Sequence, residues 1–271
     1  RCPITYTDHH YSHACAGAYT SKFTDATVVV IDAIGEFTTC SVWKYQNNLL
    51  EKCYSTRYPT SMGLLYSAFT ERCGLKPMDE EYITMGMAAW GKPIYADKIK
   101  RDFIKSMHPF RMKRNVHKGI DNYLPEANPM NLAASIQQIA EEFVVKYVSE
   151  AIAHTGIKNV VYQGGVALNC VANSQLLDIC DDLWIMPNPG DCGNSLGAAL
   201  THLQKPVIWP GPYIGTNIDY PYPVDACIKE LSTNKMVGVA SGRAEFGPRA
   251  LGHRSLLADP RGSEIKDTVN E

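Results

Sequence analysis

An α/β fold is predicted by three observations: an unbroken β-branched run at residues 27–31, a strand–glycine turn–helix unit around Gly164-Gly165, and a second such unit around Gly190-Asp191-Cys192-Gly193. Strands that run straight into glycines and then into helices are the units of a sheet with helices packed on its faces.

The elements follow in order. Asp8-His9-His10-Tyr11-Ser12-His13 opens a helix of small residues, with Ala14, Ala16, Gly17 and Ala18 next. The run at 27–31 and the alternating residues 38–45 are two strands joined by a turn at 32–36. Residues 62–73 are apolar at helical spacing and stop at Gly74, and residues 131–154 form the clearest amphipathic helix, closed by Gly156. A strand at 158–162 leads to the first glycine turn and a helix at 166–177; a strand at 182–186 leads to the second and a helix at 195–203. Residues 205–224 turn rich in Pro, Gly and Tyr, and a new strand starts at 236–240. The expected division is a domain at 1–204, a linker or covering arm at 205–234, and the start of a second α/β domain at 235–271. The chain enters the histidine helix almost at once and ends just after a dense motif, so both ends are expected to be cut from a longer protein.

A length of 271 residues supports one large or two modest domains, and a net charge of -2 gives no global field toward nucleic acid or membrane. No apolar run reaches the ~20 residues of a membrane span, and no signal peptide is visible, so a soluble cytoplasmic protein without a membrane partner is expected. Nine cysteines without a CxxC pair argue against a disulfide framework or zinc knuckle. Residues 98–118 carry eight Lys or Arg against the single acid Asp102, read as a solvated face with an electropositive lip for a polyanion such as DNA as the alternative.

His9 and His13, four residues apart, project from one face of a helix and can share one ion. The best placed carboxylates are Asp32, at the end of the first strand, and Asp191, on a glycine-flanked loop. Two imidazoles with carboxylates suit iron, manganese or zinc. The competing reading makes His10 and His13 ordinary half-buried residues. Around Gly164, Gly165 and Asn169, and again around Gly190 and Asn194, backbone N–H groups and a helix start can approach a phosphate, so the pair of turns points to a nucleotide cleft. The segment Gly242 to Ser255 packs Arg243, Arg249 and Arg254 among glycines and reads as an oxyanion pocket.

These segments, with Tyr58-Pro59-Thr60-Ser61-Met62-Gly63 and Glu81-Tyr82-Ile83-Thr84-Met85-Gly86, resemble the O-carbamoyltransferase family of the nodulation, cephamycin and tobramycin enzymes over nearly the whole chain. The resemblance implies an actin-like ATPase (ribonuclease H-like) fold, shared with the tRNA threonylcarbamoyl transferases, followed by a smaller domain. It implies that ATP and carbamoyl phosphate give a carbamoyl-adenylate, whose carbamoyl group passes to a hydroxyl of a small molecule or of a hydroxymethylated base. It places His9, His13, Asp32 and Asp191 on the metal positions, with iron(II) the usual ion and Mg an alternative. Gly164, Gly165, Asn169, Gly190 and Asn194 fall on the nucleotide cradle, and Arg243, Arg249 and Arg254 on carbamoyl phosphate handling. A homodimer is carried by the same resemblance. His10 is the candidate base for the acceptor hydroxyl. One departure stands out: the family shows Asp-Gly before its Gly-Glu pair, where this chain has Asp32-Ala33-Ile34-Gly35-Glu36. Two other readings are a threonylcarbamoyl transferase-like enzyme acting on tRNA, and a metal- and ATP-binding module without turnover.

Overall fold

A computed structural model of the chain describes residues 4–262 and 264–270, and it divides into two compact units, Arg1–Val207 and Ile208–Glu271.

The first unit opens with α1 (His9–Thr20), whose N-cap Asp8 accepts a hydrogen bond from the Tyr11 N–H at 2.8 Å. Three strands follow, β1 (Asp25–Gly35), β2 (Thr38–Gln46) and β3 (Leu49–Arg57), as an antiparallel meander. Then come α2 (Met62–Arg72), capped by Ser61, α3 (Glu81–Ala88), α4 (Ala96–Phe103), the small hairpin β4 (Ile104–Met107) and β5 (Phe110–Met112), and the long α5 (Pro129–Thr155). Asn128 caps α5 and Pro129 sits in its first turn, two start signals that place its beginning two residues ahead of the expected 131. The unit closes with β6 (Asn159–Gln163), α6 (Cys170–Ser174), β7 (Asp182–Trp184) and α7 (Asn194–Leu203).

Five strands form one mixed sheet in the order β3-β2-β1-β6-β7, with β6 and β7 parallel to β1. An antiparallel meander whose first strand continues into parallel partners is the ribonuclease H-like arrangement of actin-like ATPases. Alternate residues of β1 enter two cores. Val29 and Ile31 pack with α2 and α5, while Val28 and Val30 pack with α1 and α7. Small residues bring α1 close on both sides: a Cβ on Gly17 would lie 2.5 Å from Val161, and one on Gly197 of α7 would lie 2.1 Å from the Ser12 carbonyl. Clamped in this way, α1 holds its histidines against the C-terminal ends of β1 and β6, where parallel sheets place their ligands.

Two expectations change here. Residues 32–35 of the turn placed at 32–36 are part of β1, which bulges so that Asp32, Ala33 and Ile34 stand opposite the single residue Thr39 of β2; the turn itself is Glu36-Phe37. Bulges re-aim side chains, and this one turns Asp32 toward α1. The helix expected at 166–177 is instead a 3-10 turn (Gly165–Leu168), α6 and a second 3-10 turn (Gln175–Asp178). Asn169 breaks it: with ψ at 87° it leaves helical geometry, and its side chain caps the Ala172 N–H at 3.1 Å.

The second unit pairs β8 (Tyr213–Ile218) with β10 (Gly242–Glu245) and β9 (Met236–Ala240) with β11 (Arg254–Ala258), both antiparallel, and adds α8 (Val224–Asn234) and α9 (Ile265–Asn270). The stretch 205–234, expected as a linker or covering arm, thus holds β8 and α8. The Pro- and Gly-rich composition hid β8 because its partner β10 lies far along the chain. Among the described residues no helix is long and apolar enough to cross a membrane.

Candidate metal and nucleotide site

The ends of β1, of α1 and of the loop before α7 bring four predicted ligands together. His9 Nε2 lies 3.0 Å from Asp32 Oδ2 and 3.3 Å from Asp191 Oδ1; His13 Nε2 lies 3.2 Å from the same Asp191 oxygen and 3.6 Å from the same Asp32 oxygen. The two Nε2 atoms are 3.1 Å apart. One ligand atom from each residue falls within 4.8 Å of every other. Bonds of about 2.0–2.2 Å to a shared ion put neighbouring ligand atoms about 3.0 Å apart in an octahedron and about 3.4 Å apart in a tetrahedron, so the spacing fits a metal ion. The donor set, two imidazole nitrogens and two carboxylate oxygens, suits iron, manganese or zinc.

The surroundings are built to hold these rings. A Cβ on Gly35 would stand 2.2 Å from His9 Cδ2, so the end of β1 is shaped to the imidazole. His13 and Asp32 are buried, His9 is partly covered, and the Asp191 side chain is 68% exposed, which places the open side of the cluster at Asp191.

The charges reinforce one another. Hydrogen bonds donated to the Asp191 and Asp32 carboxylates hold His9 protonated up to about 10; burial opposes the charge on His13, but the same carboxylates keep it raised. Burial works against the Asp32 carboxylate, but the two histidines outweigh it and hold it well below the usual range; they also lower Asp191. Without an ion, protons fill the place that a divalent cation would take, and binding one displaces them.

Asp32 serves two sides. Its Oδ1 accepts the N–H of Ala33 at 2.9 Å and of Gly165 at 3.2 Å, while Oδ2 faces the histidines. The His–Asp cluster and the first glycine turn therefore share one carboxylate. Ala33, the departure from the family pattern, is accommodated because Gly63 of α2 packs directly on it. Gly164 takes φ of +93°, and a Cβ there would lie 2.2 Å from the Ile31 carbonyl, so only glycine fits. Its N–H donates to the Pro189 carbonyl at 3.0 Å, tying the first turn to the loop of Asp191, and Gly190 packs close to Gly165. Asn194 Nδ2 donates to the His9 carbonyl at 3.3 Å, which anchors that loop to α1.

Asn169 stands at the exit of the first glycine turn. Its side chain caps α6 and pairs with Gln137 of α5. His10 differs from its expected role. It is fully buried, its Nδ1 shares a 2.9 Å hydrogen bond with Ser41 Oγ, and burial pulls it down to about 4. A ring with no accessible surface cannot take a proton from an acceptor hydroxyl, so His10 packs behind the cluster rather than serving as the base.

The sequence reading missed Gly35 and Gln137. Gln137 left one signal, a polar amide between Ile136 and Ile139 on the buried side of a helix.

The family model described as Carbamoyltransferase N-terminus matches residues 1–200, and the one described as Carbamoyltransferase C-terminus matches residues 228–271. The chain belongs to the carbamoyltransferase family. It is 34% identical to an uncharacterized protein of Synechocystis sp., over 99% of this chain and 52% of that protein. It is 29% identical to nodulation protein NolNO of Sinorhizobium fredii, over 98% of this chain and 45% of that one. The chain spans about half the length of the curated relatives it matches. Among solved structures it is similar to full-length HypF in its phosphate- and nucleotide-bound form, with a TM-score of 0.42 and 14% identity over 72% of this chain and 42% of that one.

The arginine segment of this chain lies in the second unit. Arg254 donates through Nη1 and Nη2 to the carbonyls of Ser241 (3.1 Å), Gly242 (3.3 Å), His253 (2.7 Å) and Thr216 (2.9 Å). Its donors tie β8, β10 and the Ser241 junction before β10 together, which leaves them spent on backbone rather than free for an anion. Arg243 and Arg249 are exposed; Arg243 makes one long contact, 3.5 Å to the Gly215 carbonyl. Glu245 accepts the N–H groups of Leu251, His253 and Arg254 at 2.8–3.1 Å, closing the loop between β10 and β11.

Proposed function

We propose that the chain is the metal- and nucleotide-binding part of an O-carbamoyltransferase that uses ATP and carbamoyl phosphate, through a carbamoyl-adenylate, to carbamoylate a hydroxyl of a small molecule. The observation that carries this reading is Asp32, which faces the histidines with one oxygen and holds the Gly165 N–H with the other. His9, His13, Asp32 and Asp191 hold the ion, iron(II) by the family resemblance. When bound, the ion supplies a Lewis acid beside the nucleotide phosphates. Gly164 and Gly165 let the backbone come close to the nucleotide, and the start of α7 adds a positive helix end. Arg243 and Arg249, both exposed, are the groups this reading assigns to carbamoyl phosphate.

The basic stretch 98–118 adds no nucleic acid to this proposal. Lys98 pairs with Asp102 at 3.0 Å, Lys100 with Glu142 at 2.8 Å, Lys113 with the Arg101 carbonyl, and Arg114 lies over the Phe103 ring at 4.1 Å. Much of its charge is spent within the fold.

The test is mass spectrometry of the iron(II)-loaded protein with ATP and carbamoyl phosphate, with His13→Ala as control. Carbamoyl-adenylate and pyrophosphate that vanish in the control support the reading. Ion and ATP bound without product assign the chain a binding role alone, and no ion bound overturns the site.

A further inference from the structure

Asn169 ends the glycine turn, and its amide is not free to rotate. Oδ1 accepts the Ala172 N–H at 3.1 Å and Gln137 Nε2 at 3.1 Å, while Nδ2 donates to Gln137 Oε1 at 2.9 Å. Gln137 is itself saturated: Oε1 also accepts the Tyr66 hydroxyl at 2.8 Å, and Nε2 also donates to Glu141 at 2.9 Å. Glu141 in turn accepts from Gln175 at 2.5 Å. Gln137 is 5% exposed, so both its hydrogens and both its lone pairs are used inside the protein.

Such an amide has one orientation. Turned over, it would set its NH₂ against Asn169 Nδ2 and its oxygen against the Glu141 carboxylate, two repulsive contacts in place of two hydrogen bonds. The fixed Gln137 then dictates which way Asn169 faces. One Nδ2 hydrogen of Asn169 is held by Gln137, and the other has no partner among the described residues. Asn169 is half-buried, at the exit of the turn that starts at Gly164.

We propose that Gln137 is a positioning residue for the nucleotide site, holding Asn169 so that its second Nδ2 hydrogen is presented as a donor to an oxygen of the bound nucleotide. This rests on reading Gly164 to Asn169 as the nucleotide turn. A sequence motif alone shows only the asparagine; the helix α5, some thirty residues earlier, supplies the group that aims it. The ligand oxygen it serves is an acceptor, a ribose hydroxyl or a phosphate oxygen, and the donor reaches it without rotamer loss on binding.

The experiment measures ATP and Mn(II) affinity by titration calorimetry for the chain and for Gln137→Met, Asn169→Ala and the double variant. One lost, oriented hydrogen bond predicts an ATP Kd raised about tenfold in each single variant. The double variant is expected to match Asn169→Ala, because Gln137 acts only through Asn169. Mn(II) affinity is expected to stay within about twofold throughout, since neither residue touches the ion ligands. An unchanged ATP Kd in Gln137→Met, or effects that multiply in the double variant, overturn the proposal: a residue that merely stabilises the fold shifts the melting temperature and not this coupling. Should Gln137→Met lose Mn(II) binding through unfolding, Tyr66→Phe removes only the hydroxyl that helps fix Gln137, and a rise of about two- to threefold in ATP Kd is expected; no rise overturns the proposal. A chain that binds Mn(II) but no ATP defeats the nucleotide reading itself, a different result from an unchanged variant.

Discussion

The two units use polar residues in opposite ways. In the first, four side-chain atoms from α1, β1 and the loop before α7 come within 4.8 Å of one another, an arrangement suited to an ion. In the second, a denser run of charge turns inward: Arg254 is spent on four carbonyls and Glu245 on three backbone N–H groups. Density of charged residues in a motif is thus a poor guide to a binding site. Convergence of partly satisfied atoms from separate elements is the better one.

The contrast can be broken at its strongest point first. His13→Ala removes a buried ligand and is expected to weaken Mn(II) binding by more than about a hundredfold, beyond the 10–100-fold typical of outer-shell losses, as read by calorimetry. Gly35→Ala inserts a methyl into the place of the His9 ring, and a roughly tenfold loss of Mn(II) affinity is expected with a stability cost of about 1–3 kcal/mol from overpacking, read by calorimetry and by urea unfolding. In the second unit the signs reverse. Arg254→Lys leaves several carbonyls without donors and is expected to lower stability by about 1–3 kcal/mol while leaving Mn(II) affinity unchanged.

The smallest effect is a pH dependence in that same loop. Burial works against the Glu245 carboxylate, but the N–H groups of Arg254, His253 and Leu251 hold it down to about 2 from its ordinary 4.5. A depressed folded-state value contributes stability that is present above pH 4.5 and lost as pH falls toward 2. Acid unfolding of the chain and of Glu245→Gln is expected to differ at neutral pH and to converge near pH 2; a gap that persists at pH 2 contradicts this account of the loop.

Much of the first unit was legible in the sequence because its signals are local. The β-branched run at 27–31, the small residues after His13, the apolar spacing and Gly156 stop of α5, and the two glycine turns each name their own element. The convergence of His9, His13, Asp32 and Asp191 was legible for a related reason: spacing on α1 pairs the histidines, and the end of a strand and a glycine-flanked loop mark the carboxylates. What stayed hidden depends on partners far along the chain. β8 needs β10, the bulge at Asp32 needs the register of β2, and the burial of His10 needs Ser41 of the same strand pair. The role of Arg254 is invisible for the same reason, since carbonyls carry no sequence signature.

The central claim is that His9, His13, Asp32 and Asp191 form one metal site, and equilibrium binding of Mn(II) to the chain and to Asp32→Ala tests it most directly. The account predicts one ion per chain for the parent protein and loss of that ion in the variant, with the secondary structure of both unchanged by circular dichroism. Equal ion uptake by the two proteins, or none by the parent, would contradict it.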